Sequence, residues 1–140
     1  MPFEISTIDT AIGNVLAGVT SIQTYTNEHA IPVNGYPAVT YQLESDSSEF
    51  YDTAHNLRRF TFRIDLLHEV EKVGEGEAAR ILQDVLSDIQ TAFEENTSLS
   101  GAVDYCEPIT TGSNEKIQGS HGIMLRIPIE LVCVKLIQVV

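Results

Sequence analysis

The sequence predicts an α+β fold: an antiparallel sheet of about four strands with two helices packed on one face, in the order α-β-β-α-β-β. Three observations predict it. Apolar residues recur at steps of three and four in two segments, which is helical spacing, and alternate one-in-two in four others, which is strand spacing. The 140 residues are the size of one domain, so both patterns serve a single core over 1–140. No internal repeat or low-complexity tract suggests a solenoid or a linker.

The first helix is written by Ile5, Ile8, Ile12, Val15, Val19 and Ile22, one apolar stripe. Ser6 or Thr7 is positioned to cap it, with Asp9 in the first turn at the positive end of the helix dipole. Its other face, with Thr10, Gly13, Asn14, Ala17, Gly18, Ser21 and Thr24, is small and uncharged, whereas a solvated face is normally rich in Lys and Glu. That face is expected to be covered. Asn34, Gly35 and Pro37 break the chain, and Val39, Tyr41 and Leu43 then alternate with polar residues as strand one. Phe60, Phe62, Ile64 and Leu66 form strand two, paired with strand one through a long acidic loop from Glu44 to Asn56 that carries Phe50 and Tyr51.

Gly74 and Gly76 precede the second helix, whose stripe is Ala78, Ile81, Leu82, Val85, Ile89 and Ala92 and which runs to about Glu94. A third strand is expected from Gly101 through Tyr105, and a flexible loop from Thr110 to Gly122. Ile123, Leu125, Ile127, Ile129, Leu131 and Cys133 place the last strand, long enough to need a bend, for which Pro128 is the natural place. Its end, Val132, Val134, Leu136, Ile137, Val139 and Val140, is apolar on both sides, so an exposed edge there calls for a neighbouring subunit.

Composition excludes several functions. Twenty acidic against eight basic residues give a net charge of −12, the wrong sign for a surface that grips nucleic-acid phosphates. The uncharged stretch from Thr10 to Asn27 is too polar to span a bilayer, and residues 1–4 lack the basic start of an export signal. Cys106 and Cys133 read as buried free thiols. The chain has no GxSxG elbow, phosphate-binding glycine loop, GxGxxG, HExxH or paired CxxC.

His68 and Glu69 are adjacent, while His29, His55 and His121 are scattered near loops, so a metal or acid–base site would have to be assembled by tertiary contacts alone. No catalytic residue, cofactor or metal is therefore expected. Asp84 and Asp88, one helical turn apart with Glu77 and Arg80 nearby, read as a solvated helix face rather than a cation site. Arg59 and Arg63 share a strand face with Asp65, either as an intramolecular ion network or as a subunit contact.

The order of elements resembles the tail terminator, or tail completion, proteins of long-tailed bacteriophages. The residues that carry the resemblance are the uncharged first helix with Ile8, Ile12 and Val15, the segment Gly35-Tyr36-Pro37-Ala38-Val39-Thr40-Tyr41, the strand Phe60-Thr61-Phe62-Arg63-Ile64-Asp65-Leu66, the second helix from Glu77, and the closing apolar strand. The resemblance covers nearly the whole chain. It implies a non-enzymatic virion subunit without a cofactor, assembled in the host cytoplasm and located at the head-proximal end of the tail. There a homo-hexameric ring would cap the tail tube protein, stop tube polymerisation and meet the head-tail connector protein.

Such a ring surrounds passing DNA without binding it specifically, and an acidic wall with Asp84 and Asp88 as candidate lumen residues would repel phosphates. The candidate subunit or partner contacts are Glu49, Phe50, Tyr51, Asp52, Arg59, Arg63, Asn114, Lys116 and Pro128. Two other readings stand beside this one: another neck or head-tail connector subunit, and a small ligand-binding α+β domain.

Overall fold

Three long strands set the architecture. The structure, a computed structural model, describes residues 4–26, 35–119 and 122–139. Within them the chain runs α1 (Ile5–Ala17), β1 (Thr24–Thr26), β2 (Ala38–Asp52), β3 (His55–Glu69), α2 (Glu75–Glu94), β4 (Tyr105–Cys106), β5 (Thr110–Thr111), β6 (Glu115–Gly119) and β7 (Gly122–Gln138). β2, β3 and β7 are consecutive antiparallel neighbours. β1 joins the outer edge of β2 in parallel, and β4, β5 and β6 line the outer edge of β7.

The sheet is therefore mixed, seven-stranded and strongly curled. This corrects the expected antiparallel sheet of about four strands with helices on one face. The added strands are two to five residues long, too short to show an alternating pattern. The strands of 15 to 17 residues accumulate the right-handed twist of β-structure along their length, which curls a sheet.

The core follows the apolar stripes. Phe60, Phe62, Ile64 and Leu66 of β3 lie beside Cys133, Leu131, Ile129 and Ile127 of β7 in register, and all are buried. Against them pack Ile8, Ile12 and Leu16 of α1 and Ala78, Leu82, Val85, Ile89 and Phe93 of α2. α1 approaches closely because residue 13 is glycine: a Cβ there would sit 2.5 Å from the Tyr41 hydroxyl oxygen.

Other expectations change in detail. α1 stops at Ala17, and Val19 and Ile22 reach the core from the turns that follow. It starts one residue before Ser6, with Glu4 at the N-cap, no side-chain cap bond and no acid in the first turn, so neither Ser6, Thr7 nor Asp9 plays its expected part. Residues 98–104 are turns rather than a strand, since Leu99, Ser100 and Gly101 all take positive φ and Val103 N–H returns to the Ser98 carbonyl at 3.2 Å. The expected loop from Thr110 to Gly122 instead supplies β5 and β6 to the β7 ladder.

β3 flanks one side of β7 along its length, and β4 to β6 flank the other only as far as Val134. The two-sided apolar sequence up to there suits an interior strand, while among the described residues no strand pairs the outer side of residues 135–138, so the expected edge is confined to the end of the strand. Pro128 lies between the stretches paired with β6 and β5, and its carbonyl accepts from Gly112 N–H at 2.8 Å. A strand residue's N and C=O point to the same side, so the missing donor of Pro128 falls at the gap between β6 and β5.

Candidate functional site: an open-edged β-arm

A 15-residue strand is about 50 Å long at 3.3 Å per residue, whereas helices of 13 and 20 residues span about 20 and 30 Å. The strands outrun the helices, and the excess projects as an arm. From Glu44 to Asp52 every residue of β2 is exposed whichever face it occupies, while its partners from His55 to Arg59 are half-buried. The end of β7 from Val134 to Gln138 continues the ladder beside β3. The expected acidic loop from Glu44 to Asn56 is thus a corrected reading: it is a ladder of paired strands closed by the two residues Thr53 and Ala54.

Asp52 builds that turn. Its Oδ1 accepts the Ala54 N–H at 2.8 Å and contacts His55 Nδ1 at 3.0 Å. The bond from the Ala54 amide, followed by that from His55, lowers the Asp52 pKa below its ordinary value. Phe50 and Tyr51, which sit at an irregularity in the ladder where Tyr51 has no register partner on β3, are 77% and 58% exposed. Aromatic side chains are among those that anchor interfaces.

Ion pairs run along the arm and beside its base. Arg58 reaches Asp46 and Ser48 at 3.1 Å and lies 5.5 Å from the centre of the Phe60 ring. Arg59 bridges Glu107 at 2.7 Å and Glu49 at 3.7 Å. Arg63 pairs with Asp65 at 3.0 Å. Of the two roles open to Arg59 and Arg63, the geometry supplies an intramolecular sheet-face network.

Both margins of the sheet have open edges among the described residues. β1 covers β2 only from Ala38 to Thr40, leaving its outer edge unpaired by any strand from Tyr41 to Asp52. β6 pairs with β7 alone, so its outer edge is open too. Asn114 is exposed just before β6, and Lys116 within it pairs with Glu75 at 2.8 Å. Glu115 is bonded by the Arg126 guanidinium, which lowers its pKa.

No protein-family model matches this chain. No curated protein matches it either. Among solved structures it is similar to a chain in the virion of a native gene transfer agent particle, with a TM-score of 0.40 and 11% identity over 88% of this chain and 82% of that one.

The remaining candidates are dispersed. On α2, Asp84 pairs with Arg80 at 3.2 Å, while Asp88 accepts the Ser21 hydroxyl at 2.7 Å and so ties the helix to the turn after α1. Pro128 is half-buried. His68 is buried, with Nδ1 2.8 Å from the Glu69 carbonyl and its ring beside Tyr36. Asn34, His29 and His121 lie outside the described residues. Among those described, no three His, Cys, Asp or Glu converge as a metal site, and no helix is long and apolar enough to cross a membrane.

The uncharged face of α1 borders a groove of about 620 Å³ whose far wall is the turn from Asn96 to Ala102. Sequence reasoning missed Tyr105, 44% exposed on the strand beside Val134. The open edges were also missed, because an edge is a relation between strands and has no local pattern.

Proposed function

We propose that this chain is a structural virion subunit that closes, head to tail, into a homo-hexameric ring at the end of a phage tail tube. There it ends tube growth and presents the joining surface for the head. The observation that carries the reading is the β-arm: a projecting ribbon that, among the described residues, has an open backbone edge and two uncovered aromatics, with the opposite sheet margin also open among those residues.

Two different open edges on one subunit favour a heterologous contact, in which one copy's β2 edge meets another surface on the next copy. Such contacts generate rings when the rotation closes. Backbone pairing between subunits supplies affinity, and side chains such as Phe50 and Tyr51 supply selectivity. Six-fold order and the tube and connector as partners follow from the resemblance to tail terminators. The net charge of −12 suits a channel wall that lets DNA pass without holding it, with Asp84 and Asp88 as lumen candidates.

Native mass spectrometry across salt tests this, since repulsion between chains this acidic is screened as ionic strength rises. A hexamer with a ring visible by negative stain is the expected result. A monomer at every salt that also fails to bind assembled tail tubes refutes the proposal.

A further inference from the structure

Cys106 and Cys133 stand directly opposite each other where β4 meets β7, with their sulfurs 3.4 Å apart. The Cys106 N–H donates to the Thr97 carbonyl at 2.7 Å, away from β7, so the pair occupies a non-hydrogen-bonded site of the ladder. Opposed Cα atoms at such sites are about 4.5 Å apart, within the range that disulfides span. A bond requires the two sulfurs to close from 3.4 Å to about 2.05 Å.

Access is one-sided. Cys106 lines a cleft of about 150 Å³ with Gln90, Phe93, Glu94, Thr97 and Pro108, room for a reagent of a few heavy atoms given that one water takes about 30 Å³. Cys133 is fully buried and is reached through Cys106. We infer that Cys106 and Cys133 form a redox dithiol that closes to a cross-strand disulfide when a small hydroperoxide enters this cleft. The inference does not depend on the ring.

The chemistry divides between the two sulfurs. The hydrogen bond from Cys133 lowers the Cys106 pKa, and the same bond, with burial, raises that of Cys133. Cys106, the one of the two sulfurs that lines the cleft, is the sulfur a hydroperoxide reaches and therefore the attacking thiolate. It displaces one oxygen of hydrogen peroxide as hydroxide, which takes up the proton Cys106 released and leaves as water, giving the sulfenic acid. The Cys133 sulfur then attacks the Cys106 sulfur, the S–O bond breaks, and that oxygen departs with the Cys133 proton as a second water. Two thiols lose two electrons and one peroxide becomes two waters.

The bond would tie β4 to β7 across a sequence separation of 27 residues, a loop that contains β5 and β6. The test treats the full chain with hydrogen peroxide under native conditions, then unfolds it, alkylates it and measures its mass. The expected result is a loss of about 2 Da with neither thiol alkylated, and a cross-link between tryptic segments 81–116 and 127–135. Loop-closure entropy then raises Tm by about 10 °C, reversibly with dithiothreitol.

In Cys133→Ser the sulfenic acid on Cys106 is trapped by dimedone and the rise in Tm is lost; Cys106→Ser leaves Cys133 unoxidised. Alkylation of both cysteines in the treated wild-type chain, or cross-links only between chains, overturns the inference, and this reading needs no variant to fold.

Discussion

Replacing Phe50 and Tyr51 together with serine separates assembly from folding. Aromatic side chains carry about 150–250 Å² each, and Phe50 and Tyr51 are 77% and 58% exposed, so together they leave about 250 Å² uncovered. Covering all of it in a neighbour is worth at most about 6 kcal/mol at 25 cal/mol/Å². Ordering costs reduce this, and a pair of anchors of this kind contributes about 2–3 kcal/mol, or at least 30-fold in association per contact.

Within one subunit the same side chains bury little, so folding stability stays within about 0.5 kcal/mol. Native mass spectrometry over a concentration series and thermal melting of the monomer read the two effects separately. Rings that form at unchanged concentration would remove the arm tip from the interface. A fall in Tm of more than about 5 °C would mean that the aromatics hold the subunit together instead.

Three further outcomes are expected. In Asp52→Ala the Ala54 amide loses its acceptor, so its hydrogen exchange quickens at pH 7; because the folded pKa of Asp52 is lowered, its contribution is present above the ordinary carboxylate range and lost as pH falls through the depressed value, and the difference between variants closes there. A difference that persists below that pH refutes the assignment. Gly13→Ala places a methyl 2.5 Å from the Tyr41 hydroxyl oxygen, so overpacking of about 1–3 kcal/mol outweighs a helix-propensity gain of about 1 kcal/mol. In a Tyr41→Phe background the sign reverses, and urea denaturation of the four chains that shows no coupling sinks the argument. Charge reversal at Asp84 and Asp88 lowers particle infectivity while Asp88→Asn, which keeps an acceptor for Ser21, does not; unchanged infectivity on reversal removes both from the lumen.

The main elements were legible where burial imposes a period. Phe60 to Leu66, Leu125 to Cys133 and the α2 stripe each bury one face, and their spacing states which; Ile123, placed on the same stripe, is 42% exposed instead. The stretch from Glu44 to Asp52 defeated the same reasoning because both of its faces meet solvent. With no side to keep apolar, an acidic, serine-rich strand reads as a loop, although it pairs with β3 apart from irregularities at Glu44 and Tyr51. β5 and β6 failed for a related cause, being short, mostly exposed strands held by the backbone of β7.

Of the candidate contacts, Phe50 and Tyr51 were legible as aromatics stranded among acids, and the structure adds that they lie near the tip of a ribbon of paired strands. The intramolecular partners of Arg59 were not legible, because Glu49 and Glu107 meet it only after β2 and β4 have taken their places. The opposition of Cys106 and Cys133 arises in the same way, from a short strand docking on a long one.

By itself, then, the sequence determined an acidic chain without a catalytic motif, its two helices, the buried faces of its long strands and the buried state of its cysteines. All of these are properties of local spacing and transfer free energy. Tertiary structure decided the order and direction of the strands, the curl, the projecting arm and the edges left open among the described residues. Those depend on backbone hydrogen bonds between segments far apart in the chain, which every residue type can make and which therefore leave little trace in which residues are present.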